Sequence, residues 1–379
     1  MKNIIKFIKI FFINVLITFI SIESLSFIFI YFFNYTKPPS YILPSNPFCL
    51  DNNQFFGVWH KSNSTFNHQG ECYNAIYKFN SYGARDKERE VESISYRGII
   101  LGDSFIEGYG IQDRYRISNI LEKKLGIDIL NFGTSGHFGT TQIALNYKYL
   151  SSKFDHEFIL IGIYPTNDFD ENNLEYGKSY LSNRYRPYRV KNESNEGYDL
   201  IYFLDDIKDS DWSSDNFYKN RTSFLTILRK MTYTGSLIYE LRIRFSLMVQ
   251  NLNSEEKKIY SRFNDFSKED IAIIKFDLQN IKKNSNGKSI FLFAIPSIYD
   301  FNYVLSGGSD FNKLGNELLK FCKSNDIEYI DLYSELLKKY NENNFRDLYL
   351  SCDDHFSEIG NQVSSEIIYK HLQSSFKIY

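Results

Sequence analysis

Apolar residues along the chain form two kinds of pattern, one long unbroken run and several short runs separated by amphipathic stretches. The long run covers residues 10–33, and more than 18 consecutive apolar residues predict a transmembrane helix. The short β-branched runs predict buried strands, and apolar residues at helical spacing between them predict helices. The predicted strands are 98–101, 127–130, 158–163, 289–295 and 327–332, and the predicted helices are about 116–125, 140–152, 310–324 and 357–373, with one more that opens at Ser267 in a capping-box-like sequence.

The order of these elements predicts the fold class. From residue 96 to residue 379, strands alternate with helices, which predicts an α/β fold with a parallel sheet and helices on both faces. The alternation fails between about 171 and 262, a stretch rich in Tyr, Asn, Asp and Arg with one helical segment near 224–252. We expect this stretch to be an insertion over the carboxyl edge of the sheet, either a lid or a substrate-binding surface.

The N-terminal run predicts a membrane location. Lys2, Lys6 and Lys9 precede it, and the positive-inside rule keeps residues 1–9 in the cytoplasm. Residues 10–33 would then be a single-pass anchor, with the rest on the extracytoplasmic (periplasmic) side of the cytoplasmic membrane. The alternative is a cleaved signal peptide, but no small-x-small cleavage site follows and the run is long, which favours the anchor.

Glu23 lies inside the apolar run. Acidic residues within a membrane span are often functional, and two interpretations stay open, contact with a partner helix, including one from a partner membrane protein, or snorkelling of the side chain. Residues 34–95 follow as a linker and lead-in, with prolines at 38, 39, 44 and 47 that predict an extended spacer. Short aromatic runs after residue 50 predict small strands.

The composition of the chain argues against several classes of function. The 379 residues carry a formal net charge of −2, so there is no electrostatic case for nucleic-acid binding. The chain has six histidines, four cysteines and no Cys-x-x-Cys, so no metal cluster and no cofactor is predicted.

Candidate chemistry begins at residues 102–104, Gly-Asp-Ser, which come directly after the predicted strand 98–101. Ser104 therefore lies where a strand gives way to a helix, at the carboxyl edge of the predicted sheet, where α/β proteins bind ligands. By itself Gly-Asp-Ser is a common turn sequence. Two more blocks follow predicted strands, 131–136 (Asn-Phe-Gly-Thr-Ser-Gly) and 166–168 (Thr-Asn-Asp), and a third, 353–355 (Asp-Asp-His), lies just before the final predicted helix.

With these four blocks in order, over residues 80 to 373, the chain resembles the SGNH (GDSL-type) hydrolase superfamily. That family is defined by a Ser, a Gly, an Asn and a His, each at the end of a strand, on a flavodoxin-like parallel sheet. The resemblance implies a serine esterase with Ser104 as nucleophile, His355 as general base and Asp353 as the acid that orients the imidazole. The family usually has its Asp three residues before the His, where this chain has Cys352, so Asp354 stays open as the alternative acid.

The resemblance also implies an oxyanion hole. Its donors would be the backbone N–H groups of Ser104 and Gly136 and the side-chain amide of Asn167. His137 adjoins the hole and either contacts substrate or is an exposed loop residue. Tyr164 and Asp168 flank Asn167 and are interpreted as packing residues that support it.

Residues 79–86 resemble a lead-in found in membrane-anchored members of the superfamily. Their plainer interpretation is a turn with Gly83 at positive φ and Arg85 in a structural ion pair. The four cysteines, at 49, 72, 322 and 352, allow three disulfide connectivities in an exported chain. The local pairing would join Cys49 to Cys72 and Cys322 to Cys352.

Three functions follow from the resemblance. The leading one is a membrane-anchored esterase or deacylase acting on O-acyl groups, with an extracytoplasmic glycan as the expected substrate. The same site could pass its acyl group to a sugar hydroxyl, which makes an O-acyltransferase to cell-surface polysaccharide the first alternative. A non-catalytic subunit of glycan assembly is the second alternative, against which the complete set of site residues argues.

Overall fold

A computed structural model gives the fold of residues 2–33, 38–39, 50–180, 185–193, 197–203, 224–253, 260–340 and 344–376. The strands are β1 (Leu50–Asn53), β2 (Gly57–His60), β3 (Thr65–Gln69), β4 (Asn74–Lys78), β5 (Arg97–Gly102), β6 (Asp128–Gly133), β7 (Phe158–Ile163), β8 (Arg186–Lys191), β9 (Tyr198–Phe203), β10 (Ser289–Ala294) and β11 (Glu328–Ile330). The helices are α1 (Lys2–Phe33), α2 (Ser104–Glu107), α3 (Ile117–Leu125), α4 (Thr140–Tyr149), α5 (Pro165–Glu171), α6 (Leu174–Tyr180), α7 (Phe224–Met231), α8 (Tyr233–Asn253), α9 (Lys268–Asn284), α10 (Ile298–Leu305), α11 (Lys313–Ser324), α12 (Leu332–Lys339) and α13 (Glu358–Phe376).

The chain divides into two compact units. One consists of Met1–Pro47 with Asp215–Lys258, and the other of Phe48–Ser214 with Ile259–Tyr379. In the first unit, the single helical segment expected near 224–252 is two helices, α7 and α8, separated at Thr232. The described residues between 165 and 203 belong to the second unit and form α5, α6 and the β8–β9 hairpin. The role of the 171–262 stretch as a lid stays a prediction.

The second unit is built on a five-stranded sheet in the order β6-β5-β7-β10-β11, with every neighbouring pair parallel. Counted along this unit's own sheet, the order is 2-1-3-4-5, the flavodoxin-like arrangement, in which ligands bind where the strand order reverses. That point lies between β5 and β7. The predicted fold class, a parallel α/β sheet, is therefore confirmed.

Helices cover both faces of this sheet, as alternate strand residues show. Ile99 and Ile161 belong to one buried apolar cluster, which α4, α9 and α11 complete. Ile100 and Leu160, their neighbours along the strands, belong to a second cluster with α3, α12 and α13. β5 and β7 are buried along their whole length, which is why their sequences are continuous apolar runs and not alternating ones.

The lead-in before the sheet forms two antiparallel pairs, β1 with β2 and β3 with β4. The turn after β4 has Gly83 at φ +78°, and a Cβ there would come within 2.5 Å of the His60 carbonyl oxygen. Arg85 is buried and pairs with Asp113 at 3.0 Å, while it also donates to the carbonyls of Gly108 and Ile111. The turn and the ion pair predicted for this segment are therefore present.

Candidate active site

Ser104 is the first residue of the short helix α2, directly after β5. Asp103 caps that helix by accepting the Phe105 N–H at 3.0 Å, and Gly108 ends it at φ +84°. The turn needs Gly102, because a Cβ there would approach the Gly162 carbonyl oxygen on β7 to 2.7 Å. The strand, the cap and this close approach hold Ser104 at the edge of the sheet where the strand order reverses.

His355 reaches Ser104 from the loop before α13. Its Nε2 lies 2.7 Å from Ser104 Oγ, and its Nδ1 lies 2.5 Å from Asp353 Oδ1, which also accepts the His355 backbone N–H at 3.0 Å. This arrangement requires the tautomer with the proton on Nδ1, so that Nε2 is free to accept a proton from the serine. Residues 251 positions apart in sequence thus share one chain of hydrogen bonds.

The two candidate acids have different partners. Burial alone would raise the pKa of Asp353, but the hydrogen bonds and positive charge of His355 outweigh it and hold that pKa below its ordinary value. Asp354 instead accepts a hydrogen bond from the Tyr299 hydroxyl at 3.0 Å. Of the two, only Asp353 is hydrogen bonded to the imidazole in the described structure, which favours the choice made from the sequence.

Aromatic rings hold the imidazole in place. The Tyr109 ring stacks on His355 with centroids 4.0 Å apart and planes 17° apart, and Phe105 lies 4.9 Å from the same imidazole. Phe105 and Tyr109 follow Ser104 closely in sequence, so the segment that carries Ser104 also supports His355. Nothing in the spacing of the sequence indicates this contact.

A hydrogen-bonded line of side chains continues from Tyr109 into the lead-in. The Tyr73 hydroxyl donates to that of Tyr109 at 3.2 Å and lies 3.0 Å from His68 Nε2, and His68 Nδ1 lies 2.8 Å from the Tyr77 hydroxyl. Burial, with a smaller contribution from Arg85, lowers the pKa of His68 to about 4. His68 is therefore neutral at pH 7, and one ring nitrogen donates while the other accepts.

A disulfide joins the same lead-in to the loop that carries His355. Cys72 is bonded to Cys352, the residue before Asp353, across 280 positions of sequence. The local pairing expected from the sequence is wrong, because Cys322 is a free buried thiol in the core cluster and Cys49 lies outside the described residues. Sequence distance misled the prediction, since the β3–β4 hairpin and the His355 loop meet only in the fold.

The predicted oxyanion residues follow the ends of two other strands. Gly136, at φ +103°, lies three residues after β6, and Asn167 lies in the first turn of α5, which begins two residues after β7. One Asn167 amide hydrogen faces Asp103 Oδ2, with the heavy atoms 3.4 Å apart, and an amide carries a second hydrogen for another acceptor. Their role as oxyanion donors stays a prediction.

Buried acids lie beneath Asn167. Burial raises the pKa of Asp103 to about 7, against the hydrogen bond from Phe105 N–H that favours its charged form. Burial and the neighbouring Asp103 raise the pKa of Asp168 well above its usual range, and this carboxyl accepts the Tyr164 N–H at 2.7 Å. Tyr164 and Asp168 are thus buried packing residues, in keeping with their interpretation from the sequence.

The remaining histidines have structural partners. His137 Nδ1 lies 3.0 Å from the buried Glu171 carboxylate, and His60 lies between the Thr134 hydroxyl and the buried Glu107. Burial would raise the pKa of Glu107, but His60, Arg85 and Ser135 together lower it to about 2. The described residues contain no group of three or more His, Cys, Asp or Glu side chains placed to hold a metal ion.

Fold and site together define a class of protein: an α/β chain of flavodoxin-like strand order with a Ser–His–Asp hydrogen-bond chain at its switch point. This is the side-chain geometry of serine hydrolases. No protein-family model and no curated protein sequence matches the chain.

Several solved structures are similar to the chain. One is a lipolytic protein of the G-D-S-L family from Veillonella parvula (11% identity, 73% of this chain, 97% of that one, TM-score 0.38). Another is a lipase/acylhydrolase from Enterococcus faecalis (10% identity, 74% and 96%, TM-score 0.37). A third is a family two carbohydrate esterase from Clostridium thermocellum, solved with cellohexaose (12% identity, 76% and 66%, TM-score 0.39). The first of these structures carries the G-D-S-L family name that the order of motifs in this chain resembles.

Proposed function

We propose that this chain is a serine esterase of the SGNH type that removes O-acyl groups. The observation that carries the proposal is the hydrogen-bond chain from Ser104 Oγ through His355 to Asp353, with distances of 2.7 and 2.5 Å. A serine hydroxyl becomes a useful nucleophile only when a base takes its proton. Here the base is in reach and its tautomer is set by a carboxylate.

The reaction would proceed in two halves. Ser104 Oγ attacks the ester carbonyl while His355 Nε2 takes its proton, and the imidazolium then gives that proton to the departing alcohol. Water deprotonated by His355 next attacks the acyl-enzyme and frees the carboxylic acid and Ser104. Asp353 stays ionised throughout and stabilises the imidazolium, which the low pKa of this carboxyl supports.

The negative oxygen formed in both halves needs donors. Ser104 is the first residue of α2, so its N–H has no acceptor within the helix. We assign the second donor to the N–H of Gly136 and the third to the free amide hydrogen of Asn167. Neutral donors fixed before the reaction stabilise an oxyanion without reorganisation.

For the substrate we propose an O-acyl group on an extracytoplasmic glycan. The support is the resemblance to membrane-anchored members of the superfamily, together with the helix α1. This helix, from Ile4 to Phe33, is long and apolar enough to cross a membrane, although a signal sequence has the same properties. In the proposed topology, α1 is retained and the second unit lies on the periplasmic side.

Purified full-length protein in detergent tests the proposal with p-nitrophenyl acetate. We expect turnover by the wild type and none above background by Ser104→Ala, with both proteins equally folded by circular dichroism. Adding a sugar acceptor separates hydrolysis from transfer, since an esterase releases acetate and a transferase makes acetylated sugar. Wild-type protein that is folded but inactive towards both acceptors would favour the non-catalytic role.

The topology is tested separately. An alkaline phosphatase fused after Tyr379 should be active in bacterial cells, because that enzyme folds only in the oxidising periplasm. Its inactivity, with an active cytoplasmic reporter at the same position, would overturn the extracytoplasmic location and with it the glycan substrate.

A further inference from the structure

Within the first unit, helix α1 has one face that is not exposed. Among its described side chains, only Glu23, Ser26 and Ile30 are not exposed. Their spacing of three and four residues places them on one stripe of the helix. The other large apolar side chains of α1 are open, as expected for a helix surrounded by lipid. This stripe is therefore the part of α1 that packs against another segment of protein.

That segment is the start of α8. The Glu23 carboxylate accepts the backbone N–H groups of Tyr233 at 2.8 Å and Thr234 at 3.0 Å. Ser26 Oγ lies 3.1 Å from Thr234 Oγ1, and the Phe27 ring meets the Tyr233 ring edge-on at 5.1 Å. Glu23 therefore caps a helix N-terminus, where a negative charge is favourable. Of the two interpretations open for Glu23, a partner helix within the same chain agrees with these contacts.

The turn between α7 and α8 satisfies its own backbone. The four N–H groups that begin α8 all have acceptors: Glu23 takes those of Tyr233 and Thr234, and Thr232 takes those of Gly235 and Ser236 through its hydroxyl and its carbonyl. Helix starts normally leave these groups to water. A turn with no N–H left for water is what hydrocarbon requires, since an unsatisfied backbone group there costs several kcal/mol.

Three residues let the helices of this turn approach closely. Thr232 Oγ1 donates to the Leu228 carbonyl at 2.8 Å while it accepts from Gly235, and the Ser236 hydroxyl donates to the Arg229 carbonyl at 2.9 Å. A Cβ at Gly235 would collide with the Leu228 carbonyl. The small residue and the hydroxyls thus close the end of α7 against the start of α8, as small and hydroxyl residues do between membrane helices.

The depth of Glu23 follows from helix geometry. Glu23 lies ten residues before the end of α1 at Phe33, or about 15 Å at 1.5 Å per residue. The hydrocarbon core is about 30 Å thick. If α1 is retained as the anchor and leaves the bilayer near Phe33, Glu23 lies close to the bilayer midplane, at the inner limit of the outer leaflet. The start of α8, bonded to it, lies at the same depth.

A second observation on α8 indicates lipid independently. Ile238, Leu241, Phe245 and Met248 are spaced by three, four and three residues and are between 48% and 64% exposed. This is a continuous apolar stripe along one face of the helix. Over α7 and α8 the sequence carries four basic residues (Arg229, Lys230, Arg242 and Arg244) and one acidic residue, Glu240. Arg242 and Arg244 lie nine and eleven residues after the start of α8 at Tyr233, and long basic side chains can extend to the lipid head groups while their stems stay in apolar surroundings.

We propose that the α7–α8 hairpin is a second membrane element, embedded in the outer leaflet beside α1. The Glu23 carboxylate holds the start of α8 against α1, and the Ile238–Met248 stripe is in contact with lipid acyl chains. The proposal rests on retention of α1 in the membrane and is independent of the esterase chemistry. It also gives α1 a role in the folded protein that a removed signal peptide would not have.

The test uses the full-length chain in phosphatidylcholine–phosphatidylglycerol vesicles, with Phe245→Trp as the probe. We expect the fluorescence of the introduced tryptophan to be quenched by lipids with brominated acyl chains and protected from aqueous iodide. The parent chain, with its own two tryptophans, gives the background. The matched control is Phe311→Trp, at an equally exposed phenylalanine of the second unit, where iodide and not bromine should quench.

The role of Glu23 in holding the start of α8 is tested in the same assay. Adding Glu23→Ala to Phe245→Trp should shift the quenching from brominated lipid to iodide, whereas Leu25→Ala, on an exposed position of α1, should leave it unchanged. Equal lipid quenching with and without Glu23 would overturn the claim that Glu23 holds the hairpin in the membrane. Near-ultraviolet circular dichroism checks that the variants are folded.

Three results would overturn the proposal as a whole. Iodide quenching of the introduced tryptophan in Phe245→Trp alone would place the stripe in water. Protection of that tryptophan from both quenchers, together with a cross-linked dimer, would assign the stripe to a second copy of the chain. An intact mass that lacks α1 would remove the premise. None of these results depends on catalytic activity, so failure here is distinguishable from failure of the proposed esterase.

Discussion

Ser104 and His355 are held in their positions by different means. Ser104 is fixed by backbone geometry, because β5 ends at Gly102, Asp103 caps α2 and Gly108 closes it within four residues. His355 lies on a loop with little regular structure and is fixed by side chains from elsewhere, the Tyr109 ring and the disulfide to Cys72 among them.

This difference explains which other residues each position depends on. A strand-to-helix turn is rigid by itself and depends on small residues where backbones approach. Such a turn can therefore be recognised from its local sequence. A loop that carries a general base needs support from residues distant in sequence, since misplacement by about 1 Å costs up to a hundredfold in rate. The lead-in, which contributes no reacting atom, thereby becomes part of the proposed catalytic arrangement.

The largest expected effect on kcat comes from removing the acid that orients His355. Asp353→Asn should lower kcat for p-nitrophenyl acetate by about 10⁴, because the amide favours the wrong imidazole tautomer. Asp354→Asn should change kcat by no more than about threefold, since it alters only a hydrogen bond from Tyr299. A larger loss for Asp354→Asn would move the acid to that residue.

Next in size is the disulfide. Reduction, or Cys72→Ser with Cys352→Ser, should lower kcat about ten- to a hundredfold with KM little changed, because His355 loses a constraint while the substrate contacts stay. The free energy of unfolding should fall by about 2–4 kcal/mol. Cys322→Ala is the matched control and should remain sensitive to reduction, since its thiol is not in the bond. A fully active reduced enzyme would mean that the loop holds its position without the bond.

A smaller effect is expected from the aromatic stack. Tyr109→Leu should lower kcat about three- to tenfold, which corresponds to the roughly 0.5–1.5 kcal/mol of an aromatic pair. Tyr109→Phe keeps the ring over His355 and loses the hydroxyl that accepts the hydrogen bond from Tyr73, so it should retain most of the activity. Steady-state kinetics of the two variants separate the ring from the hydroxyl, and equal losses would assign the effect to the hydroxyl.

The last effect concerns the pH dependence of stability and not the rate. The pKa of His68 is about 4 in the folded protein against 6.5 for the free side chain, so the unfolded chain binds the extra proton first as pH falls. Its contribution to the free energy of unfolding is complete above pH 6.5 and is lost between pH 6.5 and 4. Glu107, Arg85, His355 and Asp353 also act on this histidine.

His68→Gln keeps a donor and an acceptor and cannot titrate. Compared with wild type in urea unfolding, this variant should show a flatter decline of stability between pH 6.5 and 4 and the same behaviour above it. Parallel curves for the two proteins across that window would show that His68 has the same proton affinity in the folded and unfolded chain.

The sequence predicted those parts of the fold that depend on local pattern. Runs such as 158–163 are buried on both faces and therefore continuously apolar, so the strands and the parallel sheet were predictable. The β8–β9 hairpin was missed, because its strands mix charged and aromatic residues without clear alternation. The break at Thr232 was missed because no proline marks it, and the turn is specified by the Thr232 hydroxyl and Gly235.

The site divides in the same way. Ser104, Gly136 and Asn167 each follow a strand and His355 lies just before the last helix, so the rule that parallel strands end at one edge predicts that they meet. The Tyr109 stack and the Cys72–Cys352 bond join segments whose contact depends on the whole fold. The only signal for the bond was the position of Cys352 beside the predicted acid, and four cysteines alone leave three connectivities open.

The most direct test of the central claim is covalent labelling of the intact protein with a fluorophosphonate, read by peptide mass spectrometry. The account predicts one adduct on Ser104 in the wild type, no adduct in folded Ser104→Ala, and labelling of His355→Ala slowed about 10⁴-fold or more, since nucleophile and base act as a unit. An adduct on another residue, or undiminished labelling of Ser104→Ala, would contradict it.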